Sequence, residues 1–398
     1  MGILGPREAA AGSHGCELPD DFRQMDVGPF VGNLTFYHFN MIVSGICTAI
    51  VLVLIFGLMA RHALRMSNPQ EQLKIMRIIN LIPAYQILSY ASICFPNAYV
   101  YLQGFTEVFQ GIALYSFLML MCDFMAPTDQ GKVEFFSSLE IKEQWRPKRT
   151  RNGLKFLKVV WWSVLQYTLI AWGASITQVA TQAVHVYCLS SMAPHFSHIW
   201  ISVATSLSTG VAVNAIVQFY VNMKGYMAEH RPLLKLLAFK LIVGVIFLEK
   251  IIFMILSGTG VLKRVKSLTY IDIAMGLPTM VICVQMVPLA LFVCYTYRTQ
   301  PYEISNNAPR TMRPREYQAL GDDADEALMS GFTKRYQGGW LGLHAWAVYL
   351  SPLTLFIDVR EAYVMIHKAR AAQKAHFKEQ VPVQMDTPME RYDSPEGA

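Results

Sequence analysis

The chain has 398 residues, 53% of them hydrophobic and only 16% charged, with a mean hydropathy of +0.31 and a formal net charge of +6. Soluble domains carry about 25% charged residues, so this balance excludes an ordinary water-soluble domain and points to a chain that crosses a membrane several times. The modest positive surplus fits basic loops beside a membrane and argues against a nucleic-acid partner.

Residues 1–36 read as a lumenal or extracellular segment. "MGILGPREAAAGSHGCELPDDFRQMD" has no apolar core, so it is not a signal peptide. Pro6 stands where a myristoylation signal needs Ser or Thr. Residues 37–302 then hold seven stretches with the roughly 20 mostly apolar residues that a span requires. They are 41–60, 75–95, 105–125, 157–180, 198–221, 233–256 and 274–297. Asn80, Pro83, Glu107 and Gln110 interrupt the second and third. Basic residues crowd the first connection, the third ("KEQWRPKRTRNGLKFLK") and the fifth. By the positive-inside rule these are cytoplasmic, which leaves the N-terminus lumenal and the C-terminus cytoplasmic. Lys263, Arg264 and Lys266 oppose this and are outnumbered. Cys16 and Cys188 fall in lumenal segments, where they either form a disulfide or stand as two free thiols. The other five cysteines lie in spans and read as small core residues. The expected fold is an all-α polytopic membrane protein with a seven-helix transmembrane bundle.

Residues 303–350 are polar and Pro-containing and read as a flexible cytoplasmic linker. Inside it, "EYQALGDDADEA" sets Tyr317 and Leu320 at aromatic-x-x-aliphatic spacing ahead of acids. Such a segment can add to a sheet edge of a ubiquitin-like autophagy protein. Ser351-Pro352 opens a helix expected over 351–377, with Ser as cap and Pro in the first turn. Phe356, Val359, Tyr363 and Ile366 recur there at helical spacing, beside Arg360, Lys368, Arg370 and Lys374. This is an amphipathic helix lying on the cytoplasmic membrane surface or packed under the bundle. Residues 378–398 read as a disordered tail.

No phosphate-cradling Gly loop, paired-Cys zinc spacing, HExxH or GxSxG occurs, so neither an enzyme nor a metal or other cofactor is expected. The informative residues are polar ones inside the spans. Lys240 and Glu249 are nine residues apart, about 900° of helix, and so lie on opposite faces of the sixth span. Lys240 and Lys250 can snorkel to the interfaces, whereas Glu249 has a shorter reach and needs a partner or a water-filled cavity. Asn214, Gln218 and Asn222 recur every four residues on the fifth span. Glu107 and Gln110 share a face of the third, which Asp123 ends. Gln166, Tyr167, Thr177 and Gln178 mark the fourth, and Gln285 the seventh. A single polar side chain usually glues helices, at about 0.6 kcal/mol. A set on five spans implies a polar interior, hence a substrate path or ligand pocket.

Five segments carry a resemblance in order: "RIINLIPAYQILSYAS", "EVFQGIALYSFLMLMCDF", "VLQYT", "PLLKLLAFK" and "CVQMVPLALFVCYTYRTQPY". Over most of residues 37–302 the chain resembles the organic solute transporter alpha-subunit family of eukaryotic seven-span proteins, which includes the transmembrane protein 184 type. The resemblance implies a transporter, or transporter subunit, for amphipathic organic solutes such as sterol conjugates or other organic anions. It also implies a separate single-span partner subunit or a homo-oligomer, membrane lipids as surroundings, and a vacuolar or endosomal membrane rather than the plasma membrane. Lys240 occupies a basic position typical of the family, suited to an anionic head group. Gln110 and Gln285 stand where the family usually has Glu. Ala171-Trp172 replaces a basic-Pro pair, and Leu248-Glu249 replaces a Trp-Gln pair. An endomembrane adaptor acting through Tyr317 and Leu320 is the alternative. A seven-span receptor is disfavoured, because the third span ends "CDFMAP" and the seventh lacks Asn-Pro-x-x-Tyr.

Overall fold

The computed structural model describes residues 28–143, 146–189, 193–227, 232–258, 268–269, 272–303 and 336–380. Helix α1 spans Phe36–Leu64 and starts where the Thr35 hydroxyl accepts a hydrogen bond from the His38 amide. The second expected span is divided into α2 (Pro69–Ile79) and α3 (Leu81–Cys94), which meet at Asn80. Pro83 has no N–H to offer the Ile79 carbonyl four residues back, and the helix breaks there. A single 3₁₀ turn, Pro96–Ala98, leads into α4 (Tyr99–Met125).

Next come α5 (Asp129–Ser138), the antiparallel strands β1 (Glu140–Glu143) and β2 (Arg146–Asn152), and α6 (Gly153–Ala183). The β-ribbon is an addition to the plain basic connection expected from sequence. A Cβ on Gly153 would lie 2.5 Å from the Phe136 carbonyl oxygen and 2.9 Å from Leu139 Cβ, so only glycine lets α6 start this close to α5 and β1. Asn152 caps α6, its side-chain oxygen accepting from the Leu154 amide at 2.9 Å. The bundle continues with α7 (Ser197–Met223), α8 (Pro232–Gly258) and α9 (Leu277–Thr296), which follows a π-helical turn, Asp272–Gly276. The described C-terminal part holds α10 (Leu343–Leu350) and α11 (Pro352–Gln380).

Five helical stretches, 36–64, 96–125, 153–183, 197–226 and 272–302, are long and apolar enough to cross a membrane. Residues 340–350 and 352–366, bent by 65°, form a sixth candidate as a broken span or a re-entrant loop. The chain is a multi-pass helical membrane protein. It differs from the expectation of seven unbroken spans at the Asn80 break, while α8 covers the expected sixth span with a 27-residue helix.

Helix α4 is the centre of the bundle: 83% of its most apolar window is buried, against 28–44% for the other four stretches. It packs on α2, α3 and α6. Contact with α6 is close because a Cβ on Gly111 would stand 3.0 Å from Thr168 Cα, and the Thr168 hydroxyl donates to the Gly111 carbonyl at 3.1 Å. Small residues bring membrane helices together in this way, where apolar surface alone provides no drive between helices in lipid. The outward faces carry exposed Ile46, Val53, Leu169, Ile176 and Leu207, as a lipid-facing surface should.

The C-terminal region departs from its expected form. Helix α10 lies inside the stretch read as a flexible linker, and it is anchored: Gln337 donates to the Met66 carbonyl at 2.8 Å, and Ala345 is fully buried. The apolar run "WLGLHAWAVYL" directly follows a long polar stretch, which masks it in the composition of 303–350. Helix α11 starts at Pro352, and its buried face is Ala362, Met365 and Ile366, packed on α5 and α6. Of the expected stripe, Ile366 is buried and Val359 half-buried, while Phe356 and Tyr363 are exposed. The face is chosen by polar contacts, described below, that a hydrophobic period does not report.

Candidate solute cavity

One half of the bundle, at the end that carries the α6–α7 connection, encloses a cavity of about 380 Å³. Helix α4 lines it with Tyr99, Gln103, Glu107 and Gln110, and α6 with Ser175 and Gln178. Helix α7 adds His198, Ser202, Thr205, Ser206 and Thr209. Helix α8 contributes Val243, Ile246, Phe247 and Glu249, and α9 contributes Pro278, Thr279 and Ile282. Tyr187 reaches in from the α6–α7 connection, where burial pushes its hydroxyl pKa above the ordinary tyrosine value. The volume falls in the range that holds small organic ligands.

Side-chain hydrogen bonds tie the cavity wall together across helices. The Tyr85 hydroxyl of α3 donates to Gln110 Oε1 at 2.7 Å. The Tyr167 hydroxyl of α6 donates to Glu107 Oε2 at 2.8 Å. Gln285 Nε2 of α9 donates to Glu249 Oε2 of α8 at 2.6 Å. Gln178 Nε2 donates to the Val100 carbonyl at 2.7 Å. The Glu249–Gln285 contact explains two of the sequence departures at once. Where the resemblance leads one to expect Gln at 249 and Glu at 285, this chain has the reverse, and the two side chains meet. Here the carboxylate is on α8 and the amide on α9.

The expected polar set therefore divides. Glu107, Gln110, Gln178 and Glu249 line the cavity, and Tyr167 and Gln285 hold two of them from behind. Gln166 joins α6 to α7, with Nε2 donating to the Ser208 carbonyl at 3.4 Å and Oε1 accepting from the Ser208 hydroxyl at 3.2 Å. Lys240 is exposed and does not line the cavity, consistent with its place on the face of α8 opposite Glu249. Asn214 is exposed, Gln218 and Asn222 are half-buried, and none of the three faces the cavity. Asn222 instead donates to the Gln218 carbonyl at 2.8 Å. The polar face that α7 turns inward is Ser202, Thr205, Ser206 and Thr209, which the sequence reading missed. Their i, i+3, i+4, i+7 spacing was a usable signal. Among the described residues no group of His, Cys, Asp and Glu is arranged to hold a metal ion. Cys188 is disulfide-bonded, while Cys47, Cys94, Cys122, Cys283 and Cys294 are free thiols. Cys16, Tyr317 and Leu320 lie outside the described residues.

Asp123 is at the other end of the bundle. It is 4% exposed and lies between Lys74 Nζ at 2.5 Å and Lys132 Nζ at 2.9 Å, and Lys132 also meets Asp129 at 3.1 Å. Burial works against the charge on Lys132, but Asp123 and Asp129 outweigh it and raise its pKa above that of an ordinary lysine. The cluster joins α2, α4 and α5. Beside it, Arg77 of α2 pairs with Asp358 of α11 and donates to the Thr354 hydroxyl at 2.9 Å. The Tyr115 hydroxyl donates to the Asp358 carbonyl at 3.4 Å, and Trp161 lies 6.3 Å from Tyr363, ring to ring.

Comparison with known proteins agrees with this architecture. The family described as "Organic solute transporter Ostalpha" matches residues 40–302. Protein LAZ1 of Arabidopsis thaliana is 25% identical over 281 residues, covering 65% of this chain and 57% of LAZ1. The chain thus spans little more than half the length of that curated relative. No solved structure matches it. With the family pattern running from the second turn of α1 to just past the end of α9, and the cavity built entirely within that stretch, the chain belongs to the organic solute transporter Ostalpha family.

Proposed function

We propose that the chain is a transporter, or the membrane subunit of one, for amphipathic organic solutes, and that the cavity is its solute-binding station. The observation that carries this reading is a space of about 380 Å³ inside the bundle lined by both apolar and polar side chains from α4, α6, α7, α8 and α9. Structural glue between helices needs paired polar groups and no vacant volume. A ligand site needs the volume, an apolar wall for the solute's body and a few placed polar groups for its head.

In this reading α2 and α3 form one span with a break at Asn80, and α8 is another, giving seven with the N-terminus lumenal. The cavity then opens toward the lumen of a vacuolar or endosomal compartment, on the side opposite the basic connections. Family resemblance supplies sterol conjugates and other organic anions as the first solutes to test. Purified chain reconstituted into vesicles should accelerate uptake of at least one amphipathic solute over protein-free vesicles. Filling the cavity with Ser206→Trp should abolish that uptake while the protein still purifies as a folded species. Uptake indifferent to Ser206→Trp would remove the cavity from the transport path.

A further inference from the structure

We infer that α10 and the first two turns of α11 form a re-entrant wedge whose tip, residues 350–357, is immersed in the acyl chains of one membrane leaflet, at the bundle end opposite the cavity. From 336 to 357 the sequence holds no Asp, Glu, Lys or Arg, while Lys334 and Arg335 precede the stretch and Asp358 and Arg360 follow it. Both of its ends are tied to the same end of the bundle. The Gln337 amide donates to the Met66 carbonyl in the α1–α2 connection, and Met365 and Ile366 are buried where α11 packs on α5 and α6. The Lys74–Asp123 pair puts the α1–α2 connection beside the end of α4, from which the chain runs on into α5. The stretch thus enters and leaves on one side, and its 65° bend makes a shallow V rather than a span. The middle of the V is its deepest part. The Asp358 carbonyl accepts from Tyr115, which is ten residues short of Met125 at the end of α4, about 15 Å along the helix.

The outward side of the V is apolar. Leu350, Leu353 and Phe356 are 64–70% exposed, and Trp340, just before α10, is 78% exposed. Polar groups of the same turns point the other way. Asp358 pairs with Arg77 of α2, whose Nη2 also donates to the Thr354 hydroxyl. A helix lying against water does the reverse, with charge outside and apolar side chains inside. Charges that face the bundle and pair there, under an apolar outer face, are the pattern of a segment in lipid. The apolar face also continues the lipid-facing side of α1, whose Leu64 is exposed beside the turn that leads into α10. That turn is fitted closely to α1. A Cβ on Gly338 would collide with the Ala63 carbonyl, and one on Gly342 would stand 3.0 Å from Ala63 Cβ. Between them Leu341 takes φ +49°, a conformation that Leu rarely adopts. The strained turn sets Trp340 and Leu341 outward at the end of α1, where interfacial aromatics collect. Exposed charges resume at Arg360 and Glu361, one turn past Ile357, which marks where α11 emerges from the acyl layer.

The test places a benzophenone-bearing amino acid singly at Leu353, Phe356 and Glu361 of the full chain, which is reconstituted in phosphatidylcholine vesicles and illuminated. All three positions are exposed, so the core is left intact. Mass spectrometry should find adducts to phospholipid acyl chains several-fold more often at 353 and 356 than at 361. Adducts to protein instead, whether to the segment before Tyr336 or to a second copy of the chain, would show that protein covers this face and overturn the inference. Equal lipid yields at the three positions, or no lipid adduct at any of them, would overturn it too. Leu353→Asp with Phe356→Asp gives an independent readout. Two carboxylates cannot stay in the acyl layer, so amide exchange over 343–357 in the same vesicles should quicken several-fold while α4 keeps its rates. Exchange unchanged from wild type would mean that the tip meets water. Should the double variant fail to insert, the benzophenone series decides alone.

Discussion

At the level of single residues, the Glu249–Gln285 contact is the most specific feature of the bundle, and it makes a sharp prediction. Gln285→Glu alone places two carboxylates at hydrogen-bond distance inside the membrane. One must then take up a proton or the pair must separate, at a cost of about 1–3 kcal/mol. Glu249→Gln alone leaves two amides that still bond, with a loss of about 1 kcal/mol or less. The double exchange should restore most of the stability lost by Gln285→Glu, and thermal unfolding of the four proteins in one detergent measures it. Strictly additive losses would mean that the two side chains do not act as a pair. Sequence reasoning reached part of this. It singled out Glu249, put it on the face opposite Lys240, and marked Gln285 as a lost acid. It had no means of knowing which of those opposite faces turned inward, because α8 is apolar all round. Lys240 was favoured for the cavity on resemblance, and the rotation of the helix puts it outside.

Asp123 belongs to the same scale and sorts the other way. A buried carboxylate between two lysines is costly to disturb from one side, since removing one partner strands the opposite charges. Asp123→Ala should cost about 3–5 kcal/mol of stability and reduce the yield of folded protein. Asn at the same place should do nearly as much harm, because it keeps the shape and loses the charge. Solute affinity in whatever protein still folds should be unaffected, since Asp123 is not on the cavity wall. Affinity that fell while stability held would return Asp123 to the solute path, where the sequence reading had put it.

Among the elements, α7 and α11 show what periodicity reports and what it leaves out. On α7 the Asn214, Gln218 and Asn222 stripe is the stronger amide signal, yet the cavity face is the hydroxyl series starting at Ser202. Thr205 and Thr209 hydroxyls satisfy themselves on the helix's own carbonyls, at 2.8 Å to Ile201 and 2.7 Å to Thr205. They can therefore line a cavity or face lipid at little cost, and sequence spacing gives them little weight. On α11 the start at Pro352 was readable from its local chemistry, whereas the buried face was set by Arg77 and Thr354 across 277 residues of chain. That long-range latch predicts local rather than global behaviour. Asp358→Asn should cost about 1 kcal/mol or less, because Asp358 is partly exposed and an amide oxygen there can still accept from Arg77. The readout is amide hydrogen exchange, which should quicken several-fold in 352–366 and stay constant in α4. Equal acceleration in both places would show that the latch supports the whole bundle.

For the molecule as a whole, the cavity occupies one end and packed aromatics the other. Phe117 and Phe239 stack at 5.1 Å, Phe156 and Phe219 at 6.2 Å, and Phe136 meets Phe219 at 6.1 Å. Helix α4 contributes to both halves, with Glu107 in the wall of the space and Phe117 in the plug, and the Asp123 cluster closes the plugged end. A carrier with one central station must alternate which end is sealed, so on the proposed function this arrangement would be one of two. It follows that a cysteine at Ser206 should react with a membrane-impermeant thiol reagent from the cavity side of the membrane. A cysteine at Met223, near the far end of the same helix and 1% exposed, should be protected. In vesicles loaded with solute the pattern should shift, with Ser206→Cys shielded and Met223→Cys labelled from the opposite side at a rate that follows solute concentration. A Met223→Cys rate fixed at its basal value across the whole concentration range, while solute still shields Ser206→Cys, would describe a binding protein that holds its ligand from one side only, and the transporter reading would give way to it.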